Sequence, residues 1–466
     1  MKINRIAVIL CLLALTINAA FAIQDLKQPK KNKTKTEQQV YTNEIHSVLS
    51  LDDCVKIAIE NNPVISASIY DEEVYKSKIG QAWANYFPSI SAGADISRSG
   101  TKYTHLKNLP LPYSRLYNTI GYIPNVSADM LLFDFGKTKA SADSVKNLYQ
   151  ASKENTKENI NTIIYGIKST YYNILFAQAQ VKVYEDTVKD YQLQLEQAKG
   201  FYKFGTKPKI DVVTAEYNLG KAQLNLVKAK NVLEVAQVQL SKIMGIPEYK
   251  NYELSDKLLL NRYDITEEDA INNALEMRPE LLSAEKTAKA AKMNLRAARR
   301  QFTPDLGAYG SYGNGLGNAY DMRSMQVGIG LKYTGLNLVN IKKQVNQARA
   351  EFNKSQAEYK SVKDEVYLNV KKNYIDLQTA AESIVIAKLA LDQAEEQYRQ
   401  VTGRYKAGVG NAIELKDGEN TYLNARLDFY NAMLNYNVTA ASLEKEIGVP
   451  LVMLEEKVLN LNPEDI

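Results

Sequence analysis

Glu414 and Asp417 stand three residues apart, so on a helix both carboxylates lie on one face. Repeated around a symmetry axis, the pair would form a ring of carboxylates able to select cations at a constriction. Standing alone, it is solvated charge at the start of a helix. Other chemistry has little to build on. The chain has 466 residues but only two histidines and two cysteines, which excludes most zinc, iron–sulfur and disulfide-framework chemistry. His46 falls in a polar leader and His105 in an expected loop. Gly313-Asn314-Gly315-Leu316-Gly317 has the glycine content of a phosphate cradle, but it is read as a surface loop joining two strands and opens no helix. The sequence therefore points away from an enzyme and asks for no cofactor or metal. A formal net charge of +5 is too small to argue for nucleic acid.

The elements that would position the carboxylates follow from the N-terminus onward. Lys2 and Arg5, the apolar run Ile6 to Ile17 and Ala20-Phe21-Ala22 make residues 1–22 a secretory signal. Residues 23–47 are a polar, flexible leader, and Cys54 is then the only cysteine of the exported chain. The remainder is a duplication. Ala58-Ile59-Glu60 and Pro63 correspond to Ala274-Leu275-Glu276 and Pro279; Tyr202-Lys203-Phe204-Gly205 corresponds to Tyr405-Lys406-Ala407-Gly408; Gly245-Ile246-Pro247 corresponds to Gly448-Val449-Pro450. The first repeat is placed at 48–250 and the second at 251–455, followed by a tail at 456–466. Each repeat reads as a short helix, a helix of about 20 residues, two strands, a very long helix and a return helix of about 35 residues.

The long helices carry the strongest pattern. Ile174, Ala177, Val181, Tyr184, Val188, Tyr191, Leu195, Ala198 and Tyr202 are spaced alternately three and four apart. Their counterparts from Leu377 to Tyr405 are all apolar or tyrosine, so both repeats carry a coiled-coil seam. A helix of about 65 residues would span about 100 Å. Gly205 and Gly408 suit the left-handed position that ends a helix, giving each repeat an antiparallel hairpin with its tip near 205 or 408.

Four segments alternate with period two, at 89–98, 122–133, 305–313 and 323–333. One face carries Ile90, Ala92, Val126, Ala128, Met130, Leu306, Ala308, Val327, Ile329 and Leu331, and the other carries Ser, Asp, Asn and Lys. A half-buried soluble sheet would need a covering layer, and helices this long do not fold back to supply one. Segments of about ten residues suit tilted strands facing lipid. A mean hydropathy of −0.34 argues against a bundle of membrane helices and leaves a β-barrel open. Four strands cannot close a barrel, and open edges are not tolerated in lipid. Two chains would give a barrel filled by side chains, whereas three leave room for a channel. The fold class is therefore α plus transmembrane β, with a twofold internal repeat, in a cyclic homotrimer.

This order of elements resembles the TolC-type outer membrane efflux protein family. The resemblance covers about 48–455 and rests on Asn62-Pro63, Arg278-Pro279-Glu280-Leu281, Phe87-Pro88, Leu132-Phe133-Asp134-Phe135-Gly136 and both glycine tips. It implies a homotrimer sharing a twelve-stranded barrel in the outer membrane, with an α-barrel crossing the periplasm of a Gram-negative-type envelope. Its partners would be outer-membrane lipid, a periplasmic adaptor and an inner-membrane transporter. Its cargo would be small molecules or, in type I secretion, polypeptides. The resemblance further implies a periplasmic gate of Tyr405, Glu414, Asp417 and Asp211, with Gly410 where the family can place a locking arginine. It makes Gly205, Gly408, Tyr202 and Arg404 the adaptor-docking tips. The alternative is a non-conducting coiled-coil tether between outer membrane and cell wall, which would need no amphipathic strands.

Overall fold

Helix punctuation comes from a few residues with specific backbone chemistry. Ser50 caps the first helix by accepting from Asp53 N, while the Asp53 carboxylate accepts from Ser50 N, a reciprocal capping box. Asn62 ends that helix and starts the next, its side chain accepting from Val64 N at 2.8 Å, with Pro63 at the first helical position. In the second half Thr266 accepts from Asp269 N, and Pro279 again takes the first helical position, behind Arg278, whose side chain makes no cap.

A computed structural model describes residues 48–102, 116–246, 253–255, 260–262, 265–317, 321–333, 337–449 and 459–461. The signal, the leader with His46, and His105 lie outside the described residues, as does the tail apart from 459–461. In chain order the elements are β1 (Val48–Leu49), α1 (Leu51–Asn61), α2 (Pro63–Trp83), β2 (Ser89–Lys102), β3 (Leu116–Phe133), α3 (Lys137–Lys203), α4 (Lys209–Met244), β4 (Glu253–Leu254), β5 (Leu260–Arg262), α5 (Glu267–Met277), α6 (Pro279–Arg299), β6 (Asp305–Gly317), β7 (Asp321–Lys332), α7 (Leu338–Lys406), α8 (Ala412–Ile447) and β8 (Leu459–Leu461). A small unit holds, among the described residues, 48–49 and 253–255, in which β1 pairs in parallel with β4. The large unit comprises 50–250 and 256–466. Within it α1-α2-β2-β3-α3-α4 is repeated in kind as α5-α6-β6-β7-α7-α8.

The long helices α3 and α7 have 67 and 69 residues, about 100 Å each. α3 packs against α2, α4, α6 and α8, and α7 against α5, α6 and α8. Ile174, Ala177, Val188, Tyr191 and Ala198 of the first seam are buried, as are Leu377, Ile384, Ala394 and Tyr405 of the second; Tyr202 is exposed. Among the described residues no helix is long and apolar enough to cross a membrane.

The four main strands form one antiparallel sheet in the order β2-β3-β6-β7. They run longer than their alternation: residues 97–102 are polar or glycine throughout and show no period, yet their ladder with 116–121 continues. Gly313 to Gly317 belongs to β6, with 313–316 paired to β7 and Gly317 to Gly121 of β3, so it is strand and not the expected loop. Glycines leave no side-chain pattern to read but do not prevent pairing. The register places Ile90 beside Ala128, Ala92 beside Val126, Met130 beside Ala308, and Ala308 beside Ile329. Paired residues point the same way, so the whole apolar set shares one face. That face is uncovered within the chain: Ile90 is 74% exposed and Val327 75%. The other face is polar, with Ser91 and Ser127 hydroxyls 2.8 Å apart and Asn125 donating to Asp95. A register shift between Leu131 and Phe133 sets Phe133, not Leu132, opposite Leu306.

Asp134 fastens sheet to helices. Its buried carboxylate accepts from Tyr86 Oη at 2.6 Å, Gly136 N at 3.0 Å and Thr138 N at 2.6 Å. Lys137 pairs with Asp305 at 2.7 Å, and Arg300 Nη1 donates to Gly136 O. Burial pushes the Asp134 carboxyl up, but the donated hydrogen bonds outweigh it and hold the acid below its ordinary value. Its stabilisation is thus present above the ordinary carboxyl range and is lost as pH falls through the depressed value. Asp134→Ala strands three donors and should cost about 3 kcal/mol, with Asp134→Asn milder, as read from thermal unfolding of the detergent-solubilised protein.

Candidate functional site

Both hairpins end in the same turn. Gly205 and Gly408 adopt φ of +69° and +79°. Thr206 N donates to Phe201 O and Val409 N to Arg404 O, closing the six-residue ring of a Schellman cap. α4 opens behind Pro208 with Asp211 in its first turn; α8 opens behind Asn411, which caps Ile413 N, with Glu414 in its first turn. Acidic residues there also complement the helix dipole.

The turns bring three of the four sequence-assigned gate residues into informative positions. Tyr405 is 5% exposed. Its ring meets Phe201 of the first hairpin edge-on, with centroids 6.3 Å apart. The Lys207 ammonium lies 3.9 Å from the same ring centroid and 5.2 Å from that of Phe201. Burial, and then the Asp211 charge, push the Tyr405 phenol up. Tyr405, Lys207 and Phe201 therefore form one contact between the two hairpins, with the Asp211 charge acting on it. Glu414 is held differently: its carboxylate pairs with Arg404 at 3.4 Å, both side chains half-exposed. Asp417 is exposed and has no ion-pair partner among the described residues.

Gly410 has a steric explanation. A Cβ there would sit 2.8 Å from Tyr405 N and 2.9 Å from the Arg404 carbonyl carbon. No side chain fits this turn, so a cation for Tyr405 comes from the opposite hairpin as Lys207. The contact joins segments about 200 residues apart, and neither Lys207 nor Phe201 carries a local signal. The exposed rim of the tips is apolar: Phe204, Ile210, Val409 and Ile413 stand out beside Tyr202.

A second polar cluster lies further along the hairpins, where Glu419 of α8 is buried against α3. Its signal is visible in the sequence as a glutamate interrupting the seam Leu415, Tyr422, Phe429 and Met433.

Residues 54–246 and 270–449 match the family described as outer membrane efflux protein. The chain is 20% identical over 412 residues to the probable efflux pump outer membrane protein TtgC of Pseudomonas putida, covering 86% of this chain and 83% of that protein. It is 22% identical over 429 residues to the outer membrane protein TolC of Escherichia coli, covering 86% and 82%. The crystal structure of the Campylobacter jejuni CmeC outer membrane channel shares the fold, with a TM-score of 0.74, 17% identity and 85% of each chain covered.

Proposed function

The chain belongs to the outer membrane efflux protein family, and we propose that it works as a homotrimeric exit duct serving an inner-membrane pump through a periplasmic adaptor. The carrying observation is an amphipathic sheet of four strands whose β2 and β7 edges are unpaired among the described residues. An edge in lipid must be paired. Pairing β7 of one chain with β2 of the next joins unlike edges, which closes a ring and not a twofold dimer. The helices support the same reading. α4 exposes Ile210, Val213, Tyr217, Leu224 and Val227, and α7 exposes Leu368, Ile375 and Leu389. These two different apolar stripes are suited to meet between neighbouring chains. Three chains give twelve strands with a polar, water-filled interior, whereas two would give a barrel filled by side chains.

In this duct the repeats at 48–250 and 251–455 each supply one hairpin to the wall. The strand face bearing Ile90, Ala128 and Val327 meets lipid. The tips at Gly205 and Gly408, with Tyr202 and Arg404, meet the adaptor. Tyr405, Lys207 and Asp211 hold the gate shut, and Glu414 and Asp417 bias passage toward cations. The name of the relative TtgC speaks of an efflux pump, which favours small-molecule cargo over polypeptide secretion. A tether has no use for the amphipathic sheet. Light scattering of the detergent-solubilised protein should give a protein mass near three chains, and reconstituted protein should conduct in planar bilayers. A stable monomer that still conducts would overturn the proposal.

A further inference from the structure

Away from the tips, α3 of the first hairpin packs against α8 of the second. Along α8 the positions Leu415, Glu419, Tyr422, Arg426, Phe429 and Met433 are buried or half-buried and spaced four and three apart, as a coiled-coil seam requires. Two of these six are charged, and they do not pair with each other. Glu419 is 4% exposed. Gln194 Nε2 of α3 donates to its Oε2 at 3.1 Å, and Tyr191 of α3 hydrogen-bonds to the carboxyl as well. Its Oε1 is buried with no hydrogen-bond partner among the described residues.

The charges around it leave Glu419 uncompensated. α3 presents Asp186 and Asp190 as well as Tyr191. α7 presents Tyr398, whose hydroxyl donates to Asp190 at 3.5 Å, with Lys406 and Glu395 acting from further off. α8 itself presents Tyr422, stacked on Tyr398 at 5.3 Å, and Arg426, which pairs with Asp186 at 3.4 Å. The nearby cation is thus committed to Asp186, and an ionised Glu419 would be a buried charge with one oxygen unfilled, beside a second carboxylate. Protonated, Glu419 gains a hydroxyl donor.

We propose that Glu419, with Asp190, is a proton-operated latch between the two hairpins, which holds α8 against α3 when protonated and releases it when ionised. Burial, and then the Asp190 charge, push the Glu419 carboxyl up to about 7. Burial and the Asp186 charge push Asp190 up too. The acid is weaker in the packed state than in the released, hydrated state. Packing is therefore fully favoured below the ordinary glutamate value and loses that support as pH rises through about 7. Opening of the duct as the consequence rests on the gating reading above; the movement itself does not.

The test uses the whole protein with Cys54→Ala and spin labels at the exposed positions Leu193 of α3 and Asn424 of α8. Double electron–electron resonance should show the intrachain distance lengthening between about pH 5.5 and about pH 8, with its midpoint near neutrality. E419Q, which mimics the protonated acid and cannot ionise, should keep the short distance across the range. D190N should move the midpoint to lower pH. A wild-type distance that does not change, or an E419Q protein that titrates like wild type, would overturn the latch. Bilayer conductance over the same range separates the two claims: a distance that titrates under a constant conductance leaves the latch standing and removes its link to the gate.

Discussion

Ala128→Arg should abolish assembly of the barrel, while Asp129→Arg, one residue along, should leave most of it intact. Ala128 pairs laterally with Ile90 and Gly310, and Asp129 with Ser89 and Tyr309, so the two side chains point to opposite faces of the sheet. Ala128 lies five residues from the end of β3. At about 3.3 Å per residue and a tilt near 45°, that is about 12 Å into an apolar band about 25 Å tall, close to its middle. An arginine there costs about 2–4 kcal/mol per chain, and the proposed trimer would meet that cost three times. At Asp129 the same side chain would face water inside the proposed barrel and exchange one charge for another. The measurement is the fraction of protein recovered as oligomer from outer membranes on semi-native gels. Equal losses for the two variants would mean that the assigned faces are wrong.

The features legible in the sequence are those set by local rules. Pro63 and Pro279 can only open helices, Gly205 and Gly408 can only end them cheaply, and the period-two segments fixed which strand residues share a face. Elsewhere the local rules are silent. Residues 97–102 continue β2 although they show no alternation, because hydrogen-bonded pairing with 116–121 does not depend on side-chain period. The slip between Leu131 and Phe133 exchanges faces within one step and leaves no trace in composition. Gly410 is visible as an unusual residue, but the crowding against Tyr405 N that requires it exists only once the turn is built. Lys207 is one lysine among many until its ammonium is seen over the Tyr405 ring. Glu419 differs, because a charged residue at a seam position is itself a signal, and buried polar seam residues can fix register or act as switches.

That contrast separates two jobs at the tips, and the separation is testable. Lys207→Met keeps the length of the side chain and removes its charge, so the contact with Tyr405 loses its cation while the packing of the stem survives. A cation–π contact of this kind contributes about 1 kcal/mol. In the proposed trimer three copies acting together would contribute about 3 kcal/mol, so the ratio of closed to open ducts should fall on the order of 100-fold. Basal conductance in planar bilayers should rise accordingly, with cation selectivity not reduced, because the variant removes a positive charge and Lys207 forms no ion pair with Glu414 or Asp417 among the described residues. Glu414→Ala combined with Asp417→Ala should do the reverse. It removes the exposed Asp417 charge and unpairs Arg404, turning the local field toward positive, so cation selectivity should fall while basal conductance stays near wild type. Tyr405→Leu provides the cross-check: with the ring gone, adding Lys207→Met should change conductance no further. If Lys207→Met conducts like wild type, the aromatic contact does not hold the gate. If the double carboxylate variant keeps its selectivity, Glu414 and Asp417 are solvated charge at a helix start.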